Sequence, residues 1–153
     1  MSKEKIKQIR DRGIRIAKEK FNCRVEFCNI DFDKFKVKDG YYNTSINVIG
    51  VDSGLNKIDQ CIILYHELGH CMSYNHIKVC GDEHRQSHNQ WKIDGPIKKT
   101  DFQNVLYDEM MAWQNAEELL RETKFDKWKE FRNKKYKSIN SYMYEGINIK
   151  TIY

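Results

Sequence analysis

A chain of 153 residues with 40% hydrophobic and 12% aromatic content is long enough for one core and too short for a comfortable second, so a single domain over 1–153 is predicted. One proline and eight glycines exclude a low-complexity chain, and no apolar run approaches the roughly 18 residues of a membrane-spanning helix. The net charge of +5 is scattered along the sequence, which reads as a solvated surface, with no membrane or nucleic-acid partner expected and a monomer as the default.

The charged start Met1-Ser-Lys-Glu-Lys-Ile6 lacks the apolar centre of a signal peptide, and five cysteines without a CxxC pair fit reduced thiols better than a disulfide framework. A cytoplasmic location is the expectation. From Ser2 to about Lys20, Ile6, Ile9, Ile16 and Ala17 mark one face of a helix whose other face is basic. Cys23 to Ile30 alternates as a strand, and Phe35 with Val37 suggests a second. Asp39-Gly40 is a hairpin turn signal, after which Tyr41 to Val51 supplies a third strand. Asp52-Ser-Gly54 then turns the chain into another helix. The predicted class is α+β, a small curved three-stranded sheet packed on that helix, with one helix before it and others after. A strand running directly into the helix could serve as an edge to which an extended peptide adds, or could simply complete the sheet.

The next helix carries His66-Glu-Leu-Gly-His70. Residues four apart lie one above the other on a helix, so His66 and His70 can share one zinc ion. Glu67, about 100° round the helix, can reach a water on that ion and act as general base. Zinc would supply Lewis acidity and lower the pKa of its water towards roughly 7. Ile58, Cys61, Ile62, Tyr65, Leu68 and Met72 recur at helical spacing as a buried stripe, and Ile63 extends apolar character towards the ligand side. Asn56 is placed to cap the helix, with Asp59 three residues on in the manner of a capping box.

A catalytic zinc site normally has three protein ligands. Thr100-Asp-Phe-Gln103 has capping-box spacing and opens a helix to about Thr123, with an apolar stripe of Phe102, Leu106, Met110, Trp113, Ala116 and Leu120. Glu109 falls near the middle of the stripe. An unpaired buried carboxylate is costly, so a partner is implied, and the partner could be zinc or a buried Arg or Lys. Asp108 and Glu118 are expected to point away, and Glu117 to pair with Arg121. Beyond Thr123, Asp126 to Tyr136 reads as a short helix with Trp128 and Phe131 inward, and the tail 138–153 has no assignment.

HELGH on one helix and Glu109-Met-Met-Ala112 on a later one resemble the gluzincin-type zinc metallopeptidases, particularly the compact ImmA/IrrE-like proteins of bacteria and phages. The resemblance covers roughly residues 21–120. It implies a zinc-dependent peptidase with His66, His70 and Glu109 on one Zn²⁺ ion, Glu67 as base, and a peptide or protein as substrate.

Alternatives remain at this stage. His76 stands at the metzincin spacing after His70, with Ser73 where that motif has glycine and Met143 in a faint methionine-turn context. Cys80, His84 and His88 recur every fourth residue and could bind a second zinc, while His88 distantly parallels the third histidine of SprT-like proteases. Tyr107, Tyr142 and Tyr144 are candidate donors to an oxyanion. A non-catalytic module in which four protein ligands close a zinc staple is the reading from another class.

Overall fold

The computed structural model describes residues 1–31, 39–80 and 99–150, with side chains at 76–80, 99–102 and 143–150 excepted. In chain order the elements are α1 (Lys3–Phe21), β1 (Arg24–Cys28), β2 (Gly40–Asn43), β3 (Val48–Asp52), α2 (Lys57–Cys80), α3 (Lys99–Arg121) and α4 (Trp128–Lys150). The protein is α+β, with four helices and a three-stranded mixed sheet among the described residues.

Local chemistry sets the ends of α1. Ser2 caps it by accepting from the Lys5 amide at 3.2 Å, and Asn22 closes it in the left-handed conformation at φ 48°, donating to the Ala17 and Lys18 carbonyls. Ile6, Ile9, Ile16 and Ala17 are buried as the periodicity predicts.

The sheet departs from the predicted one. Its order is β1-β3-β2, with β3 parallel to β1 and antiparallel to β2. The strand that feeds α2 is therefore the central one, and the outer strand of the antiparallel pair is β2. The predicted strand around Phe35 and Val37 lies outside the described residues. Asp39-Gly40 does not make the hairpin turn: Gly40 already pairs with Val51, and the turn falls at 44–47. Asn43 initiates that turn by accepting the Ser45 and Ile46 amides on its side-chain oxygen at 3.0 and 3.4 Å, an Asx arrangement that competes with continued strand. Asn47 ends it at φ 52°. Its amide donates to the Phe21 and Asn22 carbonyls at 2.9 and 2.7 Å and its oxygen accepts from Tyr42, tying the hairpin to the end of α1.

Helix α2 runs through the middle of the molecule. Asn56 caps it as expected, accepting the Ile58 and Asp59 amides at 3.0 Å, while Asp59 bonds the Asn56 side-chain amide. In place of one buried stripe, every residue from Gln60 to Gly69 is buried, because α1, α3 and the sheet each cover a side. Cys61, Leu64, Tyr65 and Leu68 make the α1 side, where the Tyr65 hydroxyl donates to the Ile9 carbonyl at 2.9 Å. The polar member Gln60 is satisfied by the Ser53 and Leu55 carbonyls at 3.0 and 2.9 Å.

Two helices also differ from expectation. The inward face of α3 is Val105, Asp108, Glu109, Ala112, Trp113, Ala116, Leu119 and Leu120, whereas Met110 is 51% exposed. Asp108, expected outside, is buried. The small residue Ala112 meets Gly69 of α2, and this close approach goes with a rotation of the helix that turns Met110 outward. Glu117 pairs with Arg121 at 2.6 Å as predicted. Helix α4 continues through the unassigned tail to Lys150, with Phe131 buried and Trp128 half-buried.

Candidate metal centre

His66 and His70 lie on the α3 side of α2, one turn apart, and Glu109 reaches them from the inward face of α3. The two imidazole Nε2 atoms are 3.2 Å apart. Each faces one oxygen of the same carboxylate, His66 Nε2 to Oε1 and His70 Nε2 to Oε2, both at 3.1 Å. Ligands roughly 2.0–2.1 Å from a tetrahedral zinc stand about 3.3–3.4 Å apart, so these separations, measured to the two oxygens of one carboxylate, are close to the edges of such a tetrahedron. Among the described residues these three form the one group of His, Cys, Asp or Glu side chains whose ligand atoms converge in this way.

The approach depends on a glycine. A side chain at Gly69 would run into the Ala112 carbonyl, so the HELGH glycine lets the backbones of α2 and α3 nearly touch. Ala112 follows Glu109 by about one turn, so the small residue that permits contact and the carboxylate share one face of α3. Asn115 locks the crossing, donating to the Gly69 carbonyl at 3.1 Å and to the Ser73 hydroxyl at 3.0 Å.

Glu109 is 2% exposed. Burial alone would raise its carboxyl, but the charge and hydrogen bonds of His66 and His70 outweigh this and hold it well below the ordinary carboxylate range. A fully buried anion at the meeting point of two imidazoles is what a cation site requires. The residues fit a divalent metal.

Glu67 lies on a different side of α2, towards the sheet. A Cβ at Gly40 would fall 3.2 Å from Glu67 Oε1 and 2.5 Å from Ile63 Cγ2, so β2 can pack beside this carboxylate only because residue 40 has no side chain. Ile63 packs against Gly40 on the sheet side, beside Glu67.

Other sequence candidates do not join the group. The metzincin arrangement needs the helix to end near Ser73, but α2 continues to Cys80 through His76, with Ser73 held in the helix by Asn115. Six residues of helix carry the backbone at 76 roughly 9 Å beyond His70 along the axis. The side chains of His76, Cys80, Met143 and Tyr144, together with His84 and His88, lie outside the description. Tyr107 is 54% exposed.

Two contributors were not foreseen. Ser138 of α4 places Oγ 2.7 Å from Glu109 Oε1, and Trp113 donates its indole N–H to the same oxygen at 3.1 Å. The Trp113 ring also stacks on His66, with centroids 4.0 Å apart and planes 20° from parallel. Trp113 was visible in the sequence as a packing residue, but nothing local to Ser138 marks its role.

No protein-family model, curated protein or solved structure matches the chain. No described helix is long and apolar enough to cross a membrane.

Proposed function

We propose that the chain is a zinc-dependent metallopeptidase of the gluzincin type, similar to the ImmA/IrrE-like proteins, acting on a peptide or protein substrate in the cytoplasm. The observation that carries this reading is the convergence of His66, His70 and Glu109 at 3.1–3.2 Å, with Glu67 on the same helix as both histidines.

Zn²⁺ held by His66, His70 and Glu109 would supply Lewis acidity and make a bound water more acidic. His66 and His70 present bare Nε2 lone pairs, and Glu109 adds the negative charge that balances the cation. Glu67 accepts the proton of the attacking water and passes it to the departing amine, the two transfers that peptide hydrolysis needs. An extended peptide laid along β2 would run past Gly40 and the Glu67 carboxylate, with backbone pairing to orient it. The docking strand in this mechanism is thus β2, in place of the strand that leads into α2.

A fourth protein ligand would instead make the site the closed zinc staple of a non-catalytic module.

The test compares zinc content and cleavage of a peptide library, read by mass spectrometry. Glu67→Gln is expected to retain one zinc and lose about 10²–10⁴-fold of the activity, whereas His66→Ala loses both. Full activity in Glu67→Gln removes the mechanism, and a zinc-loaded wild type that cleaves nothing removes the peptidase reading.

A further inference from the structure

The two oxygens of Glu109 are in unequal surroundings. Oε1 accepts from Ser138 Oγ at 2.7 Å and from Trp113 Nε1 at 3.1 Å and also lies 3.1 Å from His66 Nε2, while Oε2 meets only the His70 ring among the described residues. A carboxylate has about four lone-pair sites over its two oxygens. Oε1 therefore has two donors, Ser138 and Trp113, that do not titrate in the ordinary range and need not move, besides its contact with His66. Oε2 has no such donor among the described residues and faces His70.

Without a cation, the imidazoles can themselves donate N–H to Glu109. With one, both Nε2 atoms would be bare and the carboxylate would give up those two hydrogen bonds. The bonds from Ser138 and Trp113 survive this exchange. We propose that Trp113 and Ser138 are positioning residues that engage Oε1, so that Glu109 would offer a metal its Oε2 as the ligand atom.

Trp113 does a second job in the same arrangement. His66 Nδ1 is buried with no hydrogen-bond partner among the described residues, although a ligand histidine ordinarily has its remote nitrogen fixed by a carboxylate, carbonyl or water. The ring is oriented by its face instead, through the 4.0 Å stack on Trp113. Phe131 of α4 meets Trp113 edge-on, with centroids 5.5 Å apart. Helix α4 thus steadies two ligands, Glu109 through Ser138 and His66 through Phe131 and Trp113.

The inference rests on the metal-site reading, and the experiment separates the two. The full chain, stripped of metal, is titrated with Co²⁺ in competition with a chelator, following affinity and the visible absorption of the bound ion. Ser138→Ala is expected to bind Co²⁺ about 10- to 100-fold more weakly and with weaker absorption, as the released carboxylate swings to offer both oxygens and raises the coordination number. Ser138→Thr, which keeps the hydroxyl, restores both. Trp113→Phe keeps a ring against His66 and loses the N–H donor, so it shifts the spectrum in the same sense. A wild-type chain that binds no Co²⁺ overturns the metal site itself. Wild-type binding together with unchanged affinity and spectrum in Ser138→Ala and Trp113→Phe overturns the positioning role alone.

Discussion

Helix α2 is packed on opposite sides by two helices that meet it in different ways. Towards α1 the contact is made by large apolar side chains, Cys61, Leu64, Tyr65 and Leu68, all fully buried. Towards α3 the backbones themselves meet at Gly69 and Ala112, and the space around the crossing is filled by His66, His70, Glu109 and Asn115. The first contact is held by area and volume, and neighbouring side chains can adjust to a change. The second is held by distance, because a carboxylate and two imidazoles keep a common centre only if the helix axes stay where they are. Apolar packing and the candidate metal group thus lie on different sides of one helix.

Substitutions on the two sides should separate these properties. Leu68→Ala removes a fully buried side chain and is expected to lower stability by about 2–5 kcal/mol, measured by urea unfolding, with metal affinity of the folded protein unchanged. If affinity falls with it, the two sides are not independent. Gly69→Ala, its sequence neighbour, is expected to lower stability by about 1–3 kcal/mol through overpacking against Ala112. Unlike Leu68→Ala it should also weaken Co²⁺ binding, since α3 must back away and take Glu109 with it. Unaltered binding in a folded Gly69→Ala protein would show that the backbone contact does not set the ligand distance.

The smallest effect concerns the α1 side alone. Burial, opposed in part by the charge of Arg10, pushes the Cys61 thiol up to about 12 from 9.0. A folded pKa raised above the unfolded value means stability that is complete below the unfolded pKa and declines as the pH climbs towards the folded one. The chain should therefore lose roughly 1 kcal/mol from this group between pH 9 and pH 10. Cys61→Ala should flatten that part of the stability profile, followed by urea unfolding across the alkaline range, and leave metal binding alone. An equally steep profile in the variant would assign the loss to other groups.

The parts of this architecture that could be read from the residues are those whose causes are local. HELGH places two imidazoles on one side of a helix whatever surrounds it, and Asn56 caps that helix through amides two and three residues away. Glu109 could be singled out because a carboxylate inside an apolar stripe asks for a partner. The misreadings have causes distant in the chain. Gly40 looks like a turn residue, yet its missing side chain makes room for Ile63 and Glu67. Met110 looks like core, but the rotation of α3 that goes with the close approach of Ala112 to Gly69 turns it outward. Ser138 stands in a mixed polar stretch, and its partner is 29 residues earlier on another helix.

The placement of β3 between two earlier strands has a consequence for how the molecule assembles. During synthesis β1 and β2 leave the ribosome before β3, and among the described residues every ladder of the sheet involves β3. Pairing of the described strands therefore waits for the chain to grow through Asp52. Alternate residues of β3 serve opposite neighbours, Asn47 and Ser53 bonding towards β1 and Asp52 towards Asp39 beside β2, so a proline at Ile49 would take its amide from the β1 ladder alone.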